Sequence, residues 1–132
     1  MSVNKGRRTA AKSSKPVITI VDWLTAPVSE AQSKVERAVI GDAADIRYFR
    51  HLKAAEFSKE IFETDALILW HNIPVTAADI RLFKRCKVIV RNGVGFDTVD
   101  VRAAARRDIP VCNVPDYGTE EVADHAITLA LV

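Results

Sequence analysis

The sequence predicts an α/β fold in which an open, all-parallel β-sheet carries helices on both faces. Residues 17–21 are all β-branched and residues 66–70 are apolar throughout, which favours strands buried inside such a sheet. Between these runs lie segments with helical periodicity, so strand and helix alternate about five times. The length of 132 residues suits one domain of ordinary size with a sizeable core.

The elements follow in a regular order. We expect strands at 17–21, 45–49, 66–70, 88–90 and 111–114, and helices at 29–39, 54–62, after 76, at 101–107 and after 119. Thr76 is expected to cap the third helix, with Asp79 in its first turn. Glu120 and Glu121 suit the first turn of the last helix, because carboxylates stabilise the amino end of a helix. Right-handed crossovers then give a doubly wound sheet that resembles flavodoxin.

The composition excludes several classes of protein. With 48% hydrophobic and 27% charged residues the chain is globular rather than disordered, and no apolar run is long enough to span a membrane. The two cysteines, Cys86 and Cys112, provide neither a disulfide framework nor metal-ligand spacing. We expect both to be core thiols at the starts of strands.

Residues 1–15 contain five basic residues and no acid, which predicts a flexible basic tail. The tail has no apolar segment of the kind that directs secretion, and a cytoplasmic location is expected. An organellar transit peptide and non-specific contact with nucleic acid remain alternatives for the tail. No specific nucleic-acid partner is expected.

The loops after the strands are the candidate site, because ligands of open parallel sheets bind beyond the carboxyl ends of the strands. These loops are 22–28, 71–75, 91–98 and 113–118. The third is the most informative, since Gly93-Val94-Gly95 lets backbone N–H groups converge on an anion and Arg91 adds a charge. The alternative is a plain tight turn in which Arg91 pairs with a nearby acid such as Asp97.

Two familiar phosphate-binding motifs are absent from the sequence. A dinucleotide fingerprint that begins at Gly93 requires a third glycine where Thr98 stands, and no P-loop occurs. A phosphorylatable receiver domain is also excluded, because Trp70 and His71 stand where the third strand of such a domain ends in an aspartate.

Three segments carry a family resemblance. Residues 88–100 (Val-Ile-Val-Arg-Asn-Gly-Val-Gly-Phe-Asp-Thr-Val-Asp) resemble the substrate-loop segment of the NAD-dependent D-isomer-specific 2-hydroxyacid dehydrogenases. Residues 109–115 and 120–124 are similar to the next signature of that family, and residues 65–76 to its branch of C-terminal-binding corepressors and their bacterial relatives. The resemblance is close over residues 60–132 and extends in general layout from residue 17.

This resemblance implies roles for individual residues. The amides of Gly93, Val94 and Gly95 would hold a substrate carboxylate that Arg91 also faces, and Val94 would additionally lie near the nicotinamide. His71 matches a histidine at the cleft wall, where it would either contact the substrate or orient the loop. The remaining histidines, His51 and His125, match no catalytic position, which leaves packing or solvated roles.

The resemblance also implies what lies elsewhere. Family members continue into a nucleotide-binding domain with a glycine-rich loop and an acid/base histidine, and neither is found in these residues. We expect a basic tail at 1–15, a substrate-binding domain at 16–115, and at 116–132 a link and the start of a helix leading to a missing nucleotide-binding domain. Because residues 126–132 form an apolar helix end without a capping residue, we expect an interrupted chain.

The function implied is the N-terminal part of an oxidoreductase that transfers hydride between NAD(H) and a small D-2-hydroxy or 2-keto acid. No catalytic residue is expected in this chain, which alone should be inactive, and the intact protein is expected to bind NAD and dimerise through the missing domain. Two alternatives remain, namely a nucleotide-sensing, corepressor-like interaction module and a standalone flavodoxin-like binding domain.

Overall fold

The computed structural model describes residues 15–22 and 34–132. Within these residues the strands are β1 (Val17–Asp22), β2 (Asp45–Arg50), β3 (Ala66–Trp70), β4 (Val88–Asn92) and β5 (Val111–Cys112). They form one sheet in the order β2-β1-β3-β4-β5, and every pair is parallel. The predicted open, flavodoxin-like sheet is confirmed. Because β1, β3 and β4 are its three central strands, the loops that follow them lie side by side at the carboxyl edge.

The helices are shorter than predicted. They are α1 (Lys34–Ile40), α2 (Lys59–Phe62), α3 (Ala77–Leu82), α4 (Val101–Ala105) and α5 (Thr119–Ala130). The first part of the predicted helix 29–39, and the predicted tail at 1–14, lie outside the described residues. Val35 and Val39 are exposed, so the described part of this helix does not bury the apolar face that its periodicity indicates.

The predicted helix 54–62 is wrong as a continuous element. A 3-10 turn covers Ala54–Glu56, Phe57 is extended, and α2 begins after Ser58. Ala54, Phe57 and Ile61 are nevertheless all buried, at the three- and four-residue spacing that suggested a helix. The backbone therefore satisfies the burial pattern with two short turns, which shows that periodicity predicts the buried face better than the continuity of a helix.

Two helix starts are confirmed by their hydrogen bonds. Thr76 and Asp79 form a capping box at α3, in which each side chain bonds the backbone N–H of the other residue. Asp100 caps α4 by accepting a hydrogen bond from the Ala103 N–H at 2.8 Å. Both caps follow segments that lead out of the carboxyl edge of the sheet, so they fix the direction in which the chain leaves that edge.

The cysteines divide between core and surface. Cys86 is buried as predicted, and this burial raises the pKa of its thiol. The prediction for Cys112 is wrong, because this residue is exposed. It lies in β5, the two-residue strand at one edge of the sheet, where no further strand of the described chain covers it.

The start of β1 is fixed to the start of β3 by an unusually dense group of hydrogen bonds. The Val17 N–H donates to Asp65 Oδ2 at 2.8 Å, and the Asp65 N–H donates back to the Val17 carbonyl at 2.9 Å. The fully buried Thr64 lies within hydrogen-bond distance of two carbonyls, those of Val17 and Ala66, at 2.9 and 2.7 Å. Arg85 pairs with the same Asp65 carboxylate at 3.0 Å. We call Val17, Thr64, Asp65 and Arg85 the amino-edge clamp.

No helix among the described residues has both the length and the apolar character that crossing a bilayer requires. All residues of α5 are exposed, including Val122, Ile127 and Leu129. Glu120 and Glu121 lie in its first turn, as predicted.

The clamp gives a prediction about stability. Thr64→Val keeps the shape of the side chain but leaves the carbonyl of Val17 without its hydroxyl donor, so we expect the free energy of unfolding to fall by about 1–2 kcal/mol. Urea denaturation followed by circular dichroism measures this change. The matched control is Thr119→Val at an exposed position of α5, and equal effects of the two substitutions would contradict the role of the clamp.

Candidate functional site

The candidate site lies where β1, β3 and β4 end at the carboxyl edge of the sheet. Trp70 pairs with Asn92 across β3 and β4, so the two strands finish level with each other. The adjacent strand β1 ends at Asp22, which is the last described residue before the loop that follows it. Among the predicted loops, 71–75, 91–98 and 113–118 are described, whereas residues 23–28 lie outside the described part.

Arg91 and Gly93 occupy one compact arrangement after β4. Gly93 is buried and has a φ of +156°, and a Cβ placed on it would lie 1.4 Å from Arg91 Nη1. The guanidinium therefore covers the Cα of Gly93, so a larger residue there would have to displace it and would also adopt a strained positive φ. The glycine that the sequence suggested as part of a turn also makes room for the arginine head group.

Arg91 is held by neutral hydrogen-bond acceptors. Its Nη1 donates to the Asn92 carbonyl and its Nη2 to Asn72 Oδ1, each at 3.2 Å. Its Nε is buried without a partner. Within residues 15–22 and 34–132, no carboxylate lies within 4.0 Å of the guanidinium, so the alternative pairing with Asp97 does not occur. The described part of the chain therefore places no compensating charge next to this half-buried cation at the end of the sheet.

The glycine loop presents two free amides in the described structure. The N–H of Gly93 is already used, since it donates to the Arg91 carbonyl at 2.9 Å. The carbonyls of Gly93 and Val94 are bonded to Val114 N–H at 3.1 Å and Asn113 Nδ2 at 2.8 Å. The N–H groups of Val94 and Gly95 have no acceptor among the described residues. Val94 and Gly95 stand three and four positions after Arg91 in the chain.

His71 connects the ends of β3 and β1. Its Nδ1 lies 2.8 Å from Asp22 Oδ1, and the side chains are 36% and 17% exposed. His71 also adopts a left-handed backbone conformation, with a φ of 55°, which is uncommon for a residue other than glycine. The bond to Asp22 stabilises the orientation of the imidazole at the edge of the sheet.

The other histidines lie apart from this arrangement. His51 has its Nδ1 4.0 Å from Glu56 Oε2 and packs against Phe57 with a ring separation of 5.7 Å. His125 is exposed on α5. No group of three metal-ligating side chains occurs in the described part of the chain.

Two residues of the arrangement were not identified from the sequence. Asn72 contacts Arg91 and Asp22 contacts His71, across 19 and 49 positions of the chain. Both follow or end apolar strands, and this position at a carboxyl edge is the sequence feature that points to them. Their partners depend on strand order, which local patterns do not specify.

The fold and its loop define an α/β domain with an arginine and free amides at the carboxyl edge of a parallel sheet. The chain belongs to the D-isomer specific 2-hydroxyacid dehydrogenases, since the family model of their catalytic domain matches residues 23–128. The family that the sequence resembles is thereby confirmed.

Relatives extend this assignment. C-terminal-binding protein 1 of Caenorhabditis elegans is 29% identical over 99% of this chain, and D-3-phosphoglycerate dehydrogenase of Mycobacterium leprae is 34% identical over 88%. The chain spans only 17% and 20% of these two proteins. Among solved structures, the NADPH-dependent glyoxylate/hydroxypyruvate reductase of Sinorhizobium meliloti, in complex with NADP and malonate, is 30% identical with a TM-score of 0.66. That match covers 89% of this chain and 34% of the reductase.

The contact between Arg91 and Gly93 gives a second prediction. Gly93→Ala places a methyl group where the guanidinium lies, and we expect it to lower the free energy of unfolding by about 1–3 kcal/mol. Gly118→Ala is the matched control, since a Cβ at Gly118 meets nothing within 4 Å. Urea denaturation measures both variants.

A double-mutant cycle identifies the cause of the loss. If the clash is with Arg91, the effect of Gly93→Ala becomes smaller in an Arg91→Ala background. An undiminished effect would attribute the loss to the backbone conformation alone.

Proposed function

We propose that this chain is the substrate-binding part of an oxidoreductase that transfers hydride between NAD(H) and a small D-2-hydroxy or 2-keto acid. The observation that carries the proposal is the charge of Arg91, whose partners within residues 15–22 and 34–132 are all neutral. The free N–H groups of Val94 and Gly95 support the same assignment. An anion bound at this loop would compensate the charge of Arg91 and accept hydrogen bonds from these exposed amides.

A carboxylate suits this place by its charge and its shape. Arg91 retains a second N–H on each terminal nitrogen, which matches the two oxygens of one carboxylate. The amides of Val94 and Gly95 would add hydrogen bonds from the same loop. An anchored carboxylate fixes where the adjacent 2-carbon lies, and such positioning contributes several kcal/mol to a reaction of the bound molecule.

His71 forms the other side of the proposed cleft. Its bond to Asp22 fixes the ring in one orientation, which a substrate contact requires. We propose that His71 borders the part of the substrate beyond the carboxylate. The same bond supports a role in holding the loop at residues 71–75, and the two roles are compatible.

The residues of this chain do not fit a complete dinucleotide site. The only G-x-G sequence has Thr98 where the third glycine of the fingerprint would stand. Val94, which is 48% exposed beside the proposed carboxylate site, is the residue available to face a nicotinamide ring. We therefore propose that other residues of the intact protein hold the cofactor, and we assign no catalytic residue here. The Sinorhizobium meliloti reductase is in complex with NADP and malonate, which supports a nucleotide cofactor and a small acid as ligands of the intact protein.

The test is a titration of the chain with pyruvate, followed by the amide signals of Val94 and Gly95 in NMR spectra. We expect both signals to shift, and we expect Arg91→Gln to weaken binding at least about tenfold, because hydrogen bonds to charged groups contribute about 1.5–3 kcal/mol. Arg81→Gln removes one charge from the exposed end of α3 and serves as the control. With NADH added, the chain alone should show no turnover of pyruvate. Absence of shifts, or equal affinities of the two variants, would overturn the proposal.

A second candidate function rests on the open edge of the sheet. Among the described residues β2 has β1 as its sole neighbour, so its outer edge is available to an extended peptide. The N–H groups of Asp45 and His51 donate to the carbonyls of Pro16 and Asp22, on the side of β1. Because backbone N–H groups alternate in direction along a strand, the N–H of Arg50 points to the outer edge of β2. The likeness to C-terminal-binding protein 1 favours this interaction module over a binding domain without partners.

Selection from a random peptide library tests this candidate. We expect enriched peptides whose retention is lost in Arg50→Pro, because proline removes the outward N–H while edge strands tolerate it. Arg50→Gln keeps that N–H and removes the same charge, so it should retain the peptides. Failure to enrich any peptide would contradict the interaction module.

A further inference from the structure

Asn72 is the residue that fixes the place of the Arg91 guanidinium. Its Oδ1 accepts the hydrogen bond from Arg91 Nη2 at 3.2 Å, and it is the one side-chain acceptor that Arg91 has among the described residues. The other acceptor is the backbone carbonyl of Asn92. This carbonyl is present whatever side chain position 92 carries. The direction of the guanidinium across the cleft therefore depends on Asn72.

The backbone at the end of β3 explains how Asn72 reaches Arg91. Residue pairing places Trp70 beside Asn92, one position beyond Arg91. His71 then takes its left-handed conformation, and the chain turns so that the side chain of Asn72 contacts the neighbouring strand. Two consecutive residues thus contact opposite neighbours, since His71 bonds Asp22 at the end of β1.

The neutrality of Asn72 matters as much as its position. An amide oxygen accepts a hydrogen bond from a guanidinium without cancelling its charge, whereas a carboxylate would form an ion pair. The amino-edge clamp shows the second arrangement, because Arg85 there pairs with Asp65 at 3.0 Å. An arginine that is both oriented and uncompensated is what an incoming anion requires.

We propose that Asn72 is a positioning residue that orients Arg91 toward a small carboxylate and preserves its positive charge. This inference rests on the proposed function, because it assigns a role in binding the same carboxylate. The buried Nε of Arg91 is turned away from solvent, so the ligand meets the two terminal nitrogens. Asn72 holds one of these nitrogens and leaves its second N–H for the ligand.

The experiment compares two substitutions at position 72 in the same pyruvate titration. Asn72→Asp keeps the size of the side chain and adds a carboxylate beside the guanidinium, so we expect affinity to fall at least about tenfold. Asn72→Ala removes the acceptor and leaves the charge, so we expect a smaller loss of about threefold. Ser58→Asp is the charge control, because it adds the same charge at the exposed start of α2, where a carboxylate is favourable.

A second measurement separates positioning from a general loss of structure. The NMR signals of the Arg91 side-chain nitrogens should shift in Asn72→Ala and remain unchanged in Ser58→Asp, at equal unfolding temperatures. If Asn72→Asp does not fold, the Arg91 side-chain signals and the pyruvate affinity of Asn72→Ala test whether Asn72 positions Arg91. Unchanged Arg91 signals together with wild-type affinity in Asn72→Ala would overturn the proposal.

The outcomes distinguish this inference from the function on which it rests. If the unaltered chain binds no pyruvate, the proposed function fails. If the unaltered chain binds pyruvate but Asn72→Asp and Asn72→Ala lose affinity equally, the function stands and the role of charge preservation at Asn72 is overturned.

Discussion

The parallel register of β1, β3 and β4 is the constraint on which the candidate site depends. Val17 is bonded to Asp65 through both its N–H and its carbonyl, and the buried hydroxyl of Thr64 adds a further contact. A slip of one residue between β1 and β3 would leave these polar groups buried without partners, at about 1–3 kcal/mol each. It would also turn each side chain of the strand to the opposite face. The amino-edge clamp therefore determines which residues meet at the other end of the sheet.

An arginine at the amino ends of the strands and an arginine at their carboxyl ends have different kinds of partner. At the amino edge Arg85 donates to the carbonyl of Glu63 and to the carboxylate of Asp65, so its hydrogen bonds and its charge are both satisfied. At the carboxyl edge Arg91 has two acceptors and no compensating charge among the described residues. The first arrangement stabilises the fold. We propose that the second leaves hydrogen-bonding capacity and charge for a ligand, which is the difference between the two ends of the sheet.

Much of the fold follows from local sequence, because β-branched and continuously apolar runs specify buried strands. Right-handed crossovers reduce the number of possible strand orders for alternating strands and helices, but they do not specify the order β2-β1-β3-β4-β5 by themselves. Arg91, Gly93 and Val94 were predicted as site residues because the loop that contains them is continuous in the chain. Their hydrogen bonds could not be predicted in the same way, and the N–H of Gly93 donates to the Arg91 carbonyl.

What local sequence does not specify is pairing across the sheet. Asn72 meets Arg91 and Asp22 meets His71 only because the topology places β3 between β1 and β4. The exposure of Cys112 has the same origin, as it depends on β5 being an edge strand. The division of residues 54–62 into two turns likewise reflects packing, which overrides the intrinsic preference of a short segment for one continuous helix.

The left-handed turn at His71 joins three strand ends through two neighbouring side chains. Since His71 is bonded to Asp22 in β1 and Asn72 to Arg91 in β4, two adjacent residues link the ends of the two strands that flank β3. We propose that this linkage holds the guanidinium of Arg91 in place before a ligand binds, so that little conformational entropy is lost on binding.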